Sequence, residues 1–528
     1  MTCMMKLNRR ADCIEMAQRA LRVNPIFGKA NAMWGRCLVE DATLLEKDGP
    51  SIPYAFRLLC RAMYQVPALG ESLHTTLVTA LDAMLAEHKT NESSVAGTNL
   101  EEALRIRTFE GNGKGVYANQ PLPAFTQVSS TLNPFSVSVY EETEGKMCCL
   151  CCAKSLLSQQ GEEEIKVVRC MTCGIAHYCS QACYERYNSA RHEKYECRYI
   201  QMLWKMSESG KTFPEEFFET ALHCITTFSG IHSGWKGHQE VLQLASHGEE
   251  VAQRLHPIAP LISELLPHEP RPLVIQVLGV IRCNALEMSD FTGLGVGQAL
   301  FAGEDCITSF FNHSCDPNCA IDPSESSIRT IRPTRAGEEL TISYLPQLYW
   351  PALKRQEKLS ERYYFSCRCP RCEQRETDPF EKAISYVLPK ARENATVFYH
   401  KKVQQLCGEV RSRHIGELGP SDLKQVEALL AECEQHLFPF HYLCHDVRNT
   451  LTFLYSVLQM PEKCLDSCLQ ELLMWESIIC GALPVKLMKL QNILYCQPQE
   501  NKSTAALAPY VERLALLYGV AEEADPSA

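Results

Sequence analysis

The segment Asn312-His313-Ser314-Cys315-Asp316-Pro317-Asn318 sets a thiol inside a polar turn, and about fifty residues later Cys367-x-Cys369-x-x-Cys372 supplies three more. Structural zinc takes four tetrahedral ligands, usually Cys or His, so three thiols this close fill three corners. Cys315 is the natural fourth. A second thiol-rich stretch lies upstream: Cys149-x-x-Cys152, Cys170-x-x-Cys173, Cys179-x3-Cys183, His192 and Cys197. Cys148 and Cys151 offer an equally well-spaced first pair, and four residues separate His192 from Cys197, one more than the pattern leads one to expect. The 28 cysteines belong to a chain of 528 residues that opens on Met1–Arg10 without an apolar run. Disulfide scaffolds are short and carry a signal peptide, so zinc and reduced thiols are the better reading.

Four motifs follow one another in a fixed order: Gly113-Lys114-Gly115, then Asn312 to Asn318, then Gly337-Glu338-Glu339-Leu340-Thr341-Ile342-Ser343-Tyr344, then Phe365-Ser366-Cys367. A lone G-x-G says little, but this succession over roughly 260 residues resembles the SET-domain lysine methyltransferases with their post-SET thiols. The thiol-rich stretch that interrupts it resembles a MYND finger. A MYND finger inside a split SET domain marks the SET and MYND domain-containing (SMYD) family, and the resemblance covers residues 100 to 375. It favours Cys149 and Cys152 over Cys148 and Cys151. It also implies an interleaved finger, with Cys149, Cys152, Cys179 and Cys183 around one zinc and Cys170, Cys173, His192 and Cys197 around another. With Cys315, Cys367, Cys369 and Cys372 that makes three ions, all in closed sites that build structure and leave no open position for water.

The resemblance implies S-adenosylmethionine as cofactor. Lys114 and Gly115 would expose backbone to it, Asn112 would sit near its carboxylate end, and Asn312, His313 and Asn284 would supply polar contacts. Methyl transfer to lysine is an in-line displacement that needs the amine without its proton, and an apolar channel lowers the lysine pKa by desolvation. Tyr344 and Phe365 would line that channel beside the cofactor, with Tyr363 and Tyr364 as neighbouring alternatives. Tyr344 would orient the amine and the methyl group at the reacting centre, since a phenol with a pKa near 10 is a poor base at neutral pH. The alternative function is a non-catalytic zinc-finger and helical-repeat adaptor or transcriptional co-regulator.

Composition bounds the rest. A hydrophobic content of 45% is that of an ordinary globular protein, and no run of eighteen uncharged apolar residues occurs. The expectation is therefore a soluble protein of cytoplasm and nucleus, without a membrane segment. A net charge of −11 argues against tracking along nucleic acid, and the basic residues Lys166, Arg169, Arg186, Arg191, Lys194 and Arg198 read as a solvated face of the finger. Partners are expected to be proteins: a lysine substrate, and others bound through the finger and the helical blocks.

The fold class expected is α+β and multidomain. Residues 1–90 read as a tetratricopeptide-like helical block, because Ala17 to Pro25 is echoed 42 residues later by Leu59 to Pro67. Starting in mid-repeat suggests a truncated or alternative product. A polar linker is expected over Glu87–Asn99. The remaining blocks are 100–147 for the first SET part, 148–197 for the finger, 198–280 for a helical insert and 281–346 for the second SET part. Then come 347–375 for the post-SET zinc site and 376–528 for a C-terminal helical domain. Gln127-Val128-Ser129 reads as a strand, and Ser421 as the N-cap of a helix bearing Leu423, Val426, Leu430, Cys433 and Leu437 on one face.

Overall fold

The computed structural model describes residues 4–5, 7–45, 51–95, 103–109, 113–129, 134–139, 149–154, 156, 166–214, 216–289, 295–303, 307–322, 327–391, 393–413, 415–479, 481–496 and 508–518. Eleven strands lie among them. Strands β1 (Leu104–Phe109), β2 (Gly113–Ala118) and β3 (Ser136–Val139) precede the thiol-rich segment, whose hairpin is β4 (Val168–Arg169) and β5 (His177–Tyr178). After a helical insert come β6 (Leu286–Ser289), β7 (Gly295–Leu300), β8 (Asn312–His313), β9 (Cys319–Asp322), β10 (Ser327–Thr330) and β11 (Glu339–Ile342). They form sheets of order β1-β2-β11-β8, β3-β7-β6, β9-β10 and β4-β5.

Two of these sheets join strands far apart in sequence. Strand β11 pairs antiparallel with β2, Glu339 facing Tyr117, and parallel with β8, Thr341 facing Asn312. Strand β7 pairs with β3 across the whole thiol-rich segment and insert. Gly297 is required there, because a Cβ would lie 2.1 Å from the Ser138 carbonyl oxygen. One core holds Val116, Leu340 and Ile342 from the sheets and Phe311 just before β8 with Cys149, Tyr178 and Tyr187 from the thiol-rich segment. The insert helices Phe217–His232 and Arg271–Asn284 make a second core, burying Phe217, Ala221 and Leu222 at the expected helical spacing.

The N-terminal block consists of helices Arg10–Val23, Gly28–Glu40, Ile52–Gln65 and Gly70–Val95, so both helix starts recur after 42 residues. Gly35 lets two of them approach, since a Cβ there would lie 2.8 Å from the Leu59 side chain. The block does not stand apart. Phe56, Leu59, Leu77 and Leu81 share a core with Leu465, Leu472, Tyr510 and Leu514 of the C-terminal helices Pro461–Ile478 and Ala508–Leu517. Arg61 also donates to the Ser477 carbonyl at 2.9 Å.

Several local expectations are corrected. The polar run from Glu87 is helical as far as Val95, because no Gly or Pro interrupts it before Gly97. Gln127-Val128-Ser129 is no strand: Gln127 makes one isolated bridge to Arg329 and the Val128 N–H donates to the Ile328 carbonyl at 2.8 Å, but the Ile328 N–H then goes to the Ser129 hydroxyl at 2.8 Å, so the pairing does not continue as a ladder. Ser421 is not a cap, since the helix Pro420–His436 begins earlier with Gly419 as N-cap and proline at its first position. On that helix Leu423, Val426, Leu429 and Cys433 are buried. No helix among the described residues is long and apolar enough to cross a membrane.

Candidate functional site

The pairing of β11 between β2 and β8 brings three of the four sequence motifs together. The Asn312 amide donates to the Lys114 carbonyl at 3.1 Å and to Glu339 Oε1 at 2.8 Å. Gly115 is the residue this packing demands, because a Cβ would lie 2.6 Å from Glu339 Oε1 and 3.0 Å from Asn312 Nδ2. Asn318 staples the turn to β11, donating to Glu338 Oε1 at 2.9 Å and to the Glu339 carbonyl at 2.8 Å while accepting from the Thr341 N–H at 2.8 Å. The residues of the Gly337-Glu338-Glu339-Leu340 motif therefore act as anchors. Sequence reading quoted this motif without assigning either carboxylate a role, although two adjacent acids beside a strand were the available signal.

His313 lies between the aromatic cluster and the thiols. Its Nδ1 accepts from the Tyr344 N–H at 2.9 Å, and its Nε2 lies 3.3 Å from Cys315 Sγ. Because Nδ1 accepts, the network assigns the proton to Nε2, which donates toward sulfur. Burial pushes the imidazole pKa down to about 3, so the ring is neutral. Both ring nitrogens are thus engaged within the protein, which leaves the backbone and ring face of His313 for any ligand.

Tyr344 donates its hydroxyl to the Phe311 carbonyl at 2.7 Å, and burial raises its pKa well above the ordinary phenol value. It keeps its proton. Its ring centre lies 4.9 Å from Tyr363, 5.3 Å from His313 and 6.3 Å from Phe365. Tyr364 is separated from this group: with φ of 59° it caps the helix Ala352–Tyr363 and stacks on His247 at 4.9 Å. Asn284 ends the helix Arg271–Asn284, its amide donating to the carbonyls of Ala245 at 2.7 Å and Val280 at 2.8 Å. Asn112 and Cys148 fall outside the described residues.

Three groups of four metal-capable side chains form, each with all ligand atoms within 4.8 Å of one another: Cys149, Cys152, Cys179 and Cys183; Cys170, Cys173, His192 and Cys197; Cys315, Cys367, Cys369 and Cys372. A zinc–sulfur bond of about 2.3 Å gives a tetrahedron with sulfur edges of about 3.8 Å. The edges include 3.7 Å for Cys152–Cys179, 3.6 Å for Cys179–Cys183, 4.0 Å for Cys170–Cys197 and 3.5 Å for Cys315–Cys372. The donor sets fit zinc. Cys151 is turned elsewhere, its sulfur accepting from Arg186 Nη2 at 3.0 Å and Nε at 3.3 Å.

The irregular spacing of His192 and Cys197 has a structural cause. Asn188–Glu196 is a π-helix, and the Cys197 N–H bonds to the His192 carbonyl, so positions five apart fall on one side. Glu196, fully buried, accepts at 3.1 Å from His192 Nδ1 and at 2.8 Å from the Tyr187 hydroxyl. That bond leaves Nε2 facing Cys173 Sγ at 3.4 Å, the arrangement by which a carboxylate fixes a metal-binding imidazole. Sequence reading missed Glu196, whose only signal was its place four residues after a histidine. The third group is braced by Arg355, which pairs with Glu381 at 3.1 Å, and by Gln356, which brackets the Cys367 backbone at 2.6 and 2.8 Å.

The interlocked late strand, early G-x-G segment and N-H-S-C turn all lie within residues 113–345, which match the SET domain. Among similar proteins is the "SET domain and MYND-type zinc finger protein 6" of Schizosaccharomyces pombe, 28% identical over 233 residues, 40% of this chain and 42% of that protein. "Histone-lysine N-methyltransferase Smyd1" of Mus musculus is 25% identical, with 52% of this chain and 56% of that protein covered. "Histone-lysine N-methyltransferase SMYD3" of Mus musculus is 24% identical, with coverage of 62% and 77%. The chain spans about half the length of the first two. The chain is thus similar to proteins named for SET and MYND domains.

Proposed function

We propose that this chain is a protein-lysine methyltransferase that uses S-adenosylmethionine, with three structural zinc ions. The observation that carries the reading is the convergence of Gly115, Asn312, His313 and Tyr344 on strand β11 and its neighbours, in a chain similar to two histone-lysine N-methyltransferases. Asn284 and Asn312 spend their amide N–H groups on protein acceptors and keep a side-chain carbonyl oxygen each, which suits the amino groups of the cofactor. Lys114, Gly115, the His313 backbone and Phe365 complete the set, with Asn112 as a further contact.

The bound cofactor supplies an electrophilic methyl group; the chain's own residues prepare the acceptor. The rings of His313, Tyr344, Tyr363 and Phe365 surround the amine with apolar surface, which disfavours the ammonium form and promotes loss of its proton. Tyr344 stays protonated at its Oη, donates to the Phe311 carbonyl and presents oxygen lone pairs to the reacting groups. Its role is orientation. The thiol groups are ligands, Cys149 with Cys152, Cys179 and Cys183, Cys170 with Cys173, His192 and Cys197, and Cys315 with Cys367, Cys369 and Cys372. The first two make a MYND finger.

The substrate is a protein lysine, and further protein partners bind the finger and the helical blocks, whose N-terminal pair of helix hairpins resembles tetratricopeptide repeats. Cytoplasm and nucleus are the compartments this reading implies. The test is calorimetric titration of the zinc-loaded full chain with S-adenosylmethionine, followed by methyl transfer to a lysine peptide array. Binding and transfer support the enzyme; absence of both leaves the adaptor.

A further inference from the structure

Gly115 leaves a gap on strand β2 that three side chains fill. A Cβ there would lie 2.6 Å from Glu339 Oε1, 3.0 Å from Asn312 Nδ2 and 3.1 Å from Tyr117 Cε2, so β11, β8 and β2 each send one group over the same glycine. Tyr117 shares this face because it stands two residues along the strand from Gly115, and Glu339 is its direct neighbour across the β2–β11 pair. Partial burial first, then the Glu339 charge and a hydrogen bond to that carboxylate, raise the phenol pKa. Tyr117 therefore keeps its proton and is the donor. The Arg107 guanidinium covers the ring, 4.9 Å from its centre.

Glu339 in turn fixes Asn312. The Asn312 Nδ2 donates to Glu339 Oε1 at 2.8 Å and to the Lys114 carbonyl at 3.1 Å, so a flipped amide would set oxygen against oxygen at both contacts. The amide thus has one orientation, with Oδ1 turned away from these acceptors. A glutamate side chain has several rotatable bonds, and it holds a donor in one place only when its own carboxylate is held. Tyr117 supplies that hold.

We propose that Tyr117 is a positioning residue of the cofactor site: it fixes Glu339, which fixes the Asn312 amide with its carbonyl oxygen presented to an amino group of S-adenosylmethionine. The inference rests on the methyltransferase reading. The competing account makes Tyr117 and Glu339 a cross-strand pair that only adds to sheet stability. That role would move the melting temperature and leave cofactor affinity alone.

The experiment titrates the zinc-loaded full chain with S-adenosylmethionine in a calorimeter, as wild type, Tyr117→Phe, Glu339→Ala and the double variant, with melting temperature and zinc content as folding controls. Tyr117→Phe keeps the ring under Arg107 and removes only the donor, so binding is expected to weaken about three- to tenfold, the scale of one hydrogen bond. On a lysine peptide the loss should appear in the cofactor KM, with kcat changed by less than about twofold. In the Glu339→Ala background the same substitution should have no further effect, because the carboxylate it acts through is gone. Unchanged affinity in Tyr117→Phe overturns the inference, and so does an equal loss in both backgrounds or a loss that only tracks the folded fraction. Wild-type binding without an effect of Tyr117→Phe defeats this inference alone; wild-type protein that binds no cofactor defeats the methyltransferase reading and this inference with it.

Discussion

The backbone N–H of Tyr344 rests on the Nδ1 of His313 at 2.9 Å, and the same imidazole reaches Cys315 Sγ with its Nε2 at 3.3 Å. One neutral ring thereby connects the proposed catalytic tyrosine to a thiol group that fits zinc. Removing it should disturb both ends. His313→Ala is expected to weaken zinc retention at Cys315, Cys367, Cys369 and Cys372 by about 10- to 100-fold, as losses around a metal site do, and to lower cofactor affinity. A chromogenic chelator assay read beside a cofactor titration checks this. Loss of cofactor affinity with zinc retention intact would show that the ring does not brace the thiols.

Tyr344→Phe removes one hydroxyl and keeps the ring. Methyl transfer should slow by roughly a hundredfold or more, while the lost bond to the Phe311 carbonyl costs about 1 kcal/mol of stability. Cofactor affinity should survive. Single-turnover rates and calorimetry separate the two effects, and a proportional fall in rate and folded fraction would assign Tyr344 a structural role only.

Metal analysis of protein purified without added metal should count three zinc ions per chain. Cys152→Ser and Cys315→Ala should each lose one, while Cys151→Ser should keep all three because that thiol is turned toward Arg186. Glu196→Gln should loosen only the ion at His192, by about 10-fold or more. A count near one in the wild type would remove the finger assignment.

Glu219 gives stability a pH dependence of known sign. Its folded pKa, raised to about 7 by burial first and by neighbouring carboxylates next, exceeds the ordinary value of 4.5, so the folded state holds a proton that the unfolded state has lost. Stability contributed by that proton is full below the unfolded pKa and falls as pH rises toward 7. Glu219→Gln should therefore raise the melting temperature relative to wild type at pH 8 and have little effect at pH 5. Equal effects at the two pH values would be inconsistent with a raised pKa.

The N-terminal block should prove inseparable from the C-terminal helices. Phe56 is fully buried and stacks near Tyr510, ring centres 6.2 Å apart, so Phe56→Ala should cost about 3 to 5 kcal/mol. Deleting residues 1–90 should expose the Leu465 and Leu472 side of the shared core and yield aggregating protein. Denaturant unfolding and light scattering report the outcome; a soluble truncated chain with unchanged unfolding would restore two independent blocks.

Residue types and spacing carried the local chemistry of this protein. The C-x-C-x-x-C tail, the N-H-S-C turn and the run from Cys149 to Cys197 were legible because metal geometry restricts ligand type and number. The helix pairs ending near Pro25 and Pro67 were legible because proline stops a helix by local sterics. Tertiary structure decided what lies across from what. That β11 passes between β2 and β8, so that Glu339 meets Asn312 and Gly115, depends on strands more than two hundred residues apart and has no local signal. The π-helix that reconciles His192 with Cys197, the inward placement of Tyr363 but not Tyr364, and the merging of the first and last helices into one core follow likewise from packing. Each is fixed by burial that only the closed chain creates, since a short segment cannot exclude water from its own apolar or polar groups.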